Sequence, residues 1–309
     1  MQTCTMYLCC IYTERKMQNY NANAGNQNNP LKKYFRQAKL HIALPSEYKF
    51  YPPGSIDVPE TGELEVMSMT AKDELSFKTP DALLNGQATV EVIQSCIPAI
   101  KNAWIMPSID IDAALVAIRM ATYGETLTMT TKVPVTGEER EYELNLRDVL
   151  DNFSNLVYEN VVQVNDLTIY LRPLTYQEFT KNALKTFEEQ RIFNVVNDES
   201  ISDEDKLQAF TNSFTKLTQL TVDMIVQGID KIIVGEDEVT NIAHIQEFMK
   251  NADKEFFNRV MDHLNEQKEK YTIKPMEVRS SPEDIAAGAP ETFTIPITFD
   301  QSNFFASGS

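Results

Sequence analysis

The sequence predicts an α+β fold, on three observations. Apolar and polar residues alternate at period two over 126–146, where LTMTTKVP and REYELNL flank a Thr-Gly turn, the pattern of a β-hairpin. Over 176–269 the period becomes helical: Phe179, Ala183, Leu184 and Phe187 share one face, as do Leu207, Phe210, Phe214, Leu217, Leu220 and Met224. Beyond 270 the chain returns to strand-like alternation in YTIKPMEVRSS and TFTIPITFDQSNFF. The expected architecture is a flexible N-terminal tail over 1–29 and a mixed α/β region over 30–125. A β-rich unit comes next, split between 126–175 and 270–309, with a helical region inserted at 176–269.

Each element has its own justification. Three of the 4 cysteines, Cys4, Cys9 and Cys10, crowd the first ten residues, and the segment up to Lys16 differs in cysteine usage from the rest of the chain. That points to Met17 as the true start and 1–16 as a mis-called one. Residues 18–29 are low in complexity and rich in Asn, a flexible lead-in. Lys32, Lys33, Arg36 and Lys39 then form a basic cluster mixed with Tyr34 and Phe35. The cluster reads either as an electrostatic dock for an acidic neighbour or as an exposed element kept soluble by its lysines.

Pro45, Pro52, Pro53, Gly54, Pro59 and Gly62 exclude regular interior structure and imply an extended excursion over the surface. Thr70 is placed to cap a short helix with Asp73 and Glu74 in its first turn. Thr79-Pro80-Asp81 repeats the device, with Gly86 as the stop, and ATVEVIQSCI continues as strand or helix. Asp110 or Asp112 leads an apolar helix from Ala113 to Thr122 that ends at Gly124. A helix near 147–158 and a strand at 166–172 come after the hairpin. Two breaks, NDESISDED and DKIIVGEDEVTN, divide the helical region, and Asn241 and Asn251 are placed to cap its last two helices.

Composition excludes several function classes. With 42% hydrophobic residues and 9% aromatics the chain is a folded one, and its formal charge is −17. An acidic surface of that size disfavours nucleic acid, whose phosphates need clustered Lys and Arg, and it repels an anionic leaflet. No apolar run reaches the length of a bilayer span, so neither nucleic acid nor membrane is an expected partner, and a reducing cytoplasm is the expected setting of synthesis.

Catalytic patterns are scarce. His41, His244 and His263 have no Ser, Cys or carboxylate at a local catalytic spacing, and no Gly-rich phosphate loop occurs. Cys96, inside VIQSCIPAI, reads as a buried thiol rather than a nucleophile. Asp110-Ile-Asp112 is the most enzyme-like fragment: alternate carboxylates could hold Mg²⁺, but acids just before a helix also cap its amides. No catalytic residue is assigned.

Several strings, in order, resemble the T4-like bacteriophage baseplate protein family, which holds hub subunits and hub assembly factors. They are NPLKKYFRQ at 29–37, MTAKDE and KTPDALLNG within 69–86, SCIP at 95–98, DIDAALVAIRMATYGE at 110–125 and FDQSNFF at 299–305. The family's homologous region begins near NPL, which agrees with Met17 as the start. The resemblance also implies a Cys-x-x-Cys in the hairpin turn and another before the terminal Phe pair, spaced as in a zinc ribbon. Here those places are KVPVTGEER and EVRSSPEDIAAGAP, which contain no Cys, so the split β unit is expected to be a degenerate zinc ribbon without metal or other cofactor.

The function implied is a non-enzymatic structural or assembly role in the baseplate hub of a contractile-tailed phage. Other baseplate or tail proteins are the implied partners, in an oligomeric assembly made in the host cytoplasm and carried in the virion. The first rival is a tail-assembly chaperone for tape-measure or hub proteins, absent from the virion; the second is a hydrolase using Asp110 and Asp112. The candidate partner-binding residues are Lys32, Lys33, Tyr34, Phe35 and Arg36, together with Phe304 and Phe305. The two terminal phenylalanines either close the chain's own core or anchor in a neighbour.

Overall fold

A computed structural model describes residues 30–77, 86–190 and 202–297, and the fold within them is α+β. The chain divides into two compact units at Gln37/Ala38. In the first, a 3₁₀ turn covers Pro30–Tyr34, with the Lys33 ammonium 4.9 Å from the centre of the Tyr34 ring.

The second unit begins with β1 (Ala38–Ile42), paired antiparallel with β2 (Leu64–Met67). The Pro/Gly-rich excursion between them is less free than its composition implies. Ile56 bridges Ile100, the Ser55 carbonyl accepts from Lys101 N–H at 2.9 Å, and Ser46 and Ser55 are buried. Thr70 caps α1 (Ala71–Ser76) in a reciprocal box with Asp73, as expected. ATVEVIQSC is helical, in α2 (Gln87–Cys96). Gly86 precedes α2 at φ +79°, and a Cβ there would meet the Tyr176 ring at 3.1 Å, so backbone angle and space both demand glycine. The helix expected at 79–85 lies outside the described residues.

At the centre of the first core is α3 (Ser108–Tyr123). A helix without a polar face has to be covered on every side. Leu115, Val116, Ala117 and Ile118 are accordingly no more than 1% exposed, beneath β1, β2, α2, α4 (Leu146–Ser154) and α5 (Tyr176–Gln190). Cys96 is fully buried in the same core. The hairpin reading holds: β3 (Thr126–Lys132) pairs with β4 (Glu139–Asn145), Met129 opposite Tyr142.

A second core forms under a meander of four antiparallel strands, β5 (Val161–Val164), β6 (Leu167–Leu171), β7 (Ile229–Val234) and β8 (Asp237–Val239). Two long helices, α5 and α6 (Asp203–Gly228), lie between β6 and β7 in sequence. The segment 230–241, expected to be a break between helices, is a β-hairpin instead, because IDKIIV is short, rich in β-branched residues and closed by a turn at Gly235, φ +62°.

Asn241 caps α7 (Ile242–Asn251), as expected. Asn251 does not cap α8 (Lys254–Lys270): it is the last residue of α7, and the Asp253 carboxylate accepts from Phe256 N–H at 2.7 Å. The extended backbone of Ala252 ends α7 one residue too late for Asn251 to serve.

Last come β9 (Met276–Arg279), α9 (Pro282–Ala286) and β10 (Thr292–Ile295), with β9 and β10 paired. This hairpin adjoins β3–β4. Arg140 donates twice to Asp284, at 3.2 Å each, and the Tyr142 and Phe293 rings meet edge to face at 5.8 Å. Arg140 and Ser281 hold the Asp284 carboxyl below the usual carboxylate range. Among the described residues no helix is long and apolar enough to cross a membrane.

Candidate interaction surface

A cleft of about 480 Å³ opens where the two cores meet. Its floor is set by backbone pairing. Ser108 N–H donates to the Leu174 carbonyl and Tyr176 N–H to the Met106 carbonyl, both at 2.8 Å, locking the start of α3 to the chain leaving β6. Arg172 N–H donates to the Gly228 carbonyl at 2.8 Å, which brings in the end of α6. The Arg172 guanidinium forms a two-pronged ion pair with Glu178 at 2.8 and 2.9 Å. The walls are mainly apolar, with Ile109 and Ile111 from α3, Phe179 from α5, Met224 from α6, and Met261 and Leu264 from α8.

The two aspartates of α3 part company here. The helix starts at Ser108, two residues before Asp110, and neither acid caps it; the N-cap position is Pro107, with no side-chain bond. Asp110 is fully buried and turns to the 43–63 excursion. It accepts from Ser46 N–H at 2.8 Å, Ser46 Oγ at 2.5 Å and Tyr51 Oη at 3.0 Å. Burial pushes its carboxyl up to about 6, outweighing the hydrogen bonds that favour the charge.

Asp112 instead lines the cleft, with no hydrogen bond or ion pair among the described residues, and burial alone lifts it to about 6. Two buried donors on residues lining the same cleft also lack partners among the described residues. Gln267 uses Oε1 to accept from Glu159 N–H at 3.0 Å and leaves Nε2 without a partner, and the buried Tyr271 hydroxyl has none. Burial raises that hydroxyl to about 12. A carboxylate, a buried amide donor and a buried phenol therefore belong to one apolar cleft without partners among the described residues, a costly arrangement.

From the cleft the apolar surface continues along α6. Leu207 is 67% exposed and Phe214 61%, with Phe210 and Phe187 also exposed. The seam between α5 and α6 is polar: Asn182 Nδ2 donates to Gln227 Oε1 at 2.9 Å, and Glu189 accepts from Ser213 and Lys216 at 3.0 Å. The periodicity correctly gives each helix one apolar face, and over much of the pair that face points away from the partner helix.

Of the residues singled out from sequence, Lys33 and Tyr34 are exposed on the 3₁₀ turn, the exposed Phe35 follows it and Arg36 is half-buried. Lys32 belongs to the same turn, and Phe304 and Phe305 lie outside the described residues. KVPVTGEER and EVRSSPEDIAAGAP supply no thiolate or imidazole, so their donor set does not fit zinc. Among the described residues no cluster of three His, Cys, Asp or Glu could hold a metal ion.

Residues 55–279 match the family model described as T4 bacteriophage base plate protein. The chain belongs to that family. The match spans most of the chain and takes in every residue lining the cleft and both long helices of this baseplate protein. It starts after NPLKKYFRQ and stops before FDQSNFF. No curated protein and no solved structure matches the baseplate protein.

Proposed function

We propose that this baseplate protein is a non-enzymatic structural or assembly component of the baseplate hub of a contractile-tailed phage, acting through protein–protein contacts. The observation that carries this is the exposed apolar side chains Leu207 and Phe214 on α6, near an apolar cleft in which Asp112 has no hydrogen bond or ion pair among the described residues. Exposed apolar area of that kind marks interaction surfaces. Lys32, Lys33, Tyr34, Phe35, Arg36, Phe304 and Phe305 are further contact residues in this reading, and no cofactor is required. The setting is an oligomeric baseplate assembly in the virion, built in the host cytoplasm.

Quantitative mass spectrometry of purified phage particles tests the role. Several copies per virion, set against a known baseplate component, support the structural reading. Presence in infected cells with absence from virions makes the protein a tail-assembly chaperone instead. Elemental analysis giving about one zinc per chain overturns the metal-free reading.

A further inference from the structure

The cleft holds an unbalanced charge. Its lining includes Asp112, Arg172 and Lys268. Arg172 is committed to Glu178 through both arms of its guanidinium. Lys268, on α8, is exposed and forms no ion pair with Asp112. Burial is the single cause that raises the Asp112 carboxyl, with no neighbouring charge or hydrogen bond contributing. Gln267 and Tyr271 are sealed, but Asp112 is only half-buried and keeps accessible surface. The rest of the lining is mainly apolar, and Tyr158 and Phe179 add aromatic rings to it. A cavity of about 480 Å³ is large enough for a side chain or small ligand to enter.

We propose that this cleft seats a lysine side chain of a neighbouring baseplate or tail protein, its alkyl stem against the apolar walls and its ammonium on the Asp112 carboxylate. The inference rests on the reading that this protein works by protein contact, and it adds the chemistry of the partner. A lysine is apolar along four carbons and charged at the tip, which matches walls of Ile, Met and Leu around one acid. Aromatic rings in the lining attract a cation further. Phe179, 46% exposed, offers the backbone carrying that lysine an apolar contact beside the cleft.

Other occupants fit less well. An anion finds the Arg172 charge already neutralised by Glu178. Mg²⁺ or Ca²⁺ exchanges water for several oxygen ligands, and this lining supplies one carboxylate among mainly apolar side chains. A guanidinium brings five donors and an ammonium three, so with one carboxylate to accept them the ammonium leaves fewer unmatched. A second copy of this chain carries the same net charge of −17 and is disfavoured by mutual repulsion, whereas a basic neighbour is drawn in.

The test titrates the purified full chain with capped amino acids and follows the methyl signals of Met224 and Met261 by NMR. Nα-acetyl-lysine methylamide is the probe, and Nα-acetyl-norleucine methylamide is its neutral counterpart with the same stem. The lysine probe is expected to bind roughly tenfold more tightly than the norleucine probe. Asp112→Asn keeps the shape and removes the charge, so it should bring the lysine probe down to the norleucine level and leave norleucine unchanged. Should that variant fold poorly, the comparison of the two probes on the parent protein decides by itself. Equal binding of the two probes, or a preference for lysine that survives Asp112→Asn, overturns the proposal. So does binding of hexylammonium where the capped lysine fails, which makes the site one for a free amine. A midpoint of the Asp112 carboxyl titration that rises on Lys268→Gln overturns it too, because Lys268 is then the ammonium that Asp112 already holds. Concentration-dependent self-association that Asp112→Asn abolishes makes the occupant a second copy and is equally fatal. None of these outcomes alters the virion copy number, so the structural role it measures stands or falls separately.

Discussion

α3 is apolar on every side and buried on every side, while α6 carries a heptad of large apolar residues and leaves its first four turns largely in solvent. The two acids near the start of α3 differ in the same way. Asp110 gathers three donors from a loop folded over it, whereas Asp112, two residues on, faces the cleft with none among the described residues. The comparison separates residues that hold this fold together from residues that the fold presents. Where apolar area and polar groups are both satisfied within the chain the role is structural; where apolar area is exposed the fold presents it for contact.

Truncations sharpen the contrast most. Leu115→Ala removes a fully buried side chain from α3 and is expected to cost about 2–5 kcal/mol in urea unfolding. A loss under about 1 kcal/mol would mean that α3 is not the centre of the first core. Asp110→Ala strands the Ser46 amide and hydroxyl and the Tyr51 hydroxyl, and should cost on the order of 3 kcal/mol by the same measurement.

Asp112→Asn is expected to act in the opposite direction. The folded protein holds the Asp112 proton up to about 6, while an unperturbed carboxyl releases it near 3.8. Between those values the unfolded chain binds fewer protons, so the contribution of Asp112 to stability falls as pH rises through that window. The asparagine variant should therefore be more stable than the parent at neutral pH, by on the order of 2 kcal/mol, with the advantage vanishing near about pH 4. Paired urea titrations at the two pH values read this directly, and an advantage independent of pH would remove ionisation as its cause. The smallest effect is expected on α6, where Phe214→Ser should leave stability within about 0.5 kcal/mol, since little of the ring is withdrawn from water. Hydrogen exchange should show the same order, fast over 203–214 and slow over 113–120.

Much of this architecture is legible in the sequence. DIDAALVAIRMATYGE has no polar face, so its burial follows from its letters, and the 126–145 hairpin follows from period-two alternation. The caps at Thr70 and Asn241 are local chemistry and stand where the residue pattern puts them. The strands at 161–164 and 229–239 escape such a reading because a short apolar run suits helix or strand equally until its neighbours are known. The cleft is invisible in the sequence. Its walls come from segments spread between Ser108 and Thr272, and no local motif joins Asp112 to Gln267 and Tyr271.

By itself the sequence determined the α+β class, the family resemblance, the central apolar helix and the existence of a stripe on α6. Those are properties of order and period along one strand of letters. Only the tertiary structure decided which apolar face is covered and which of two neighbouring aspartates is satisfied. The reason is physical: periodicity shows that a helix has an apolar side, but burial belongs to pairs of surfaces, and the second surface comes from residues far away in the chain or from another protein.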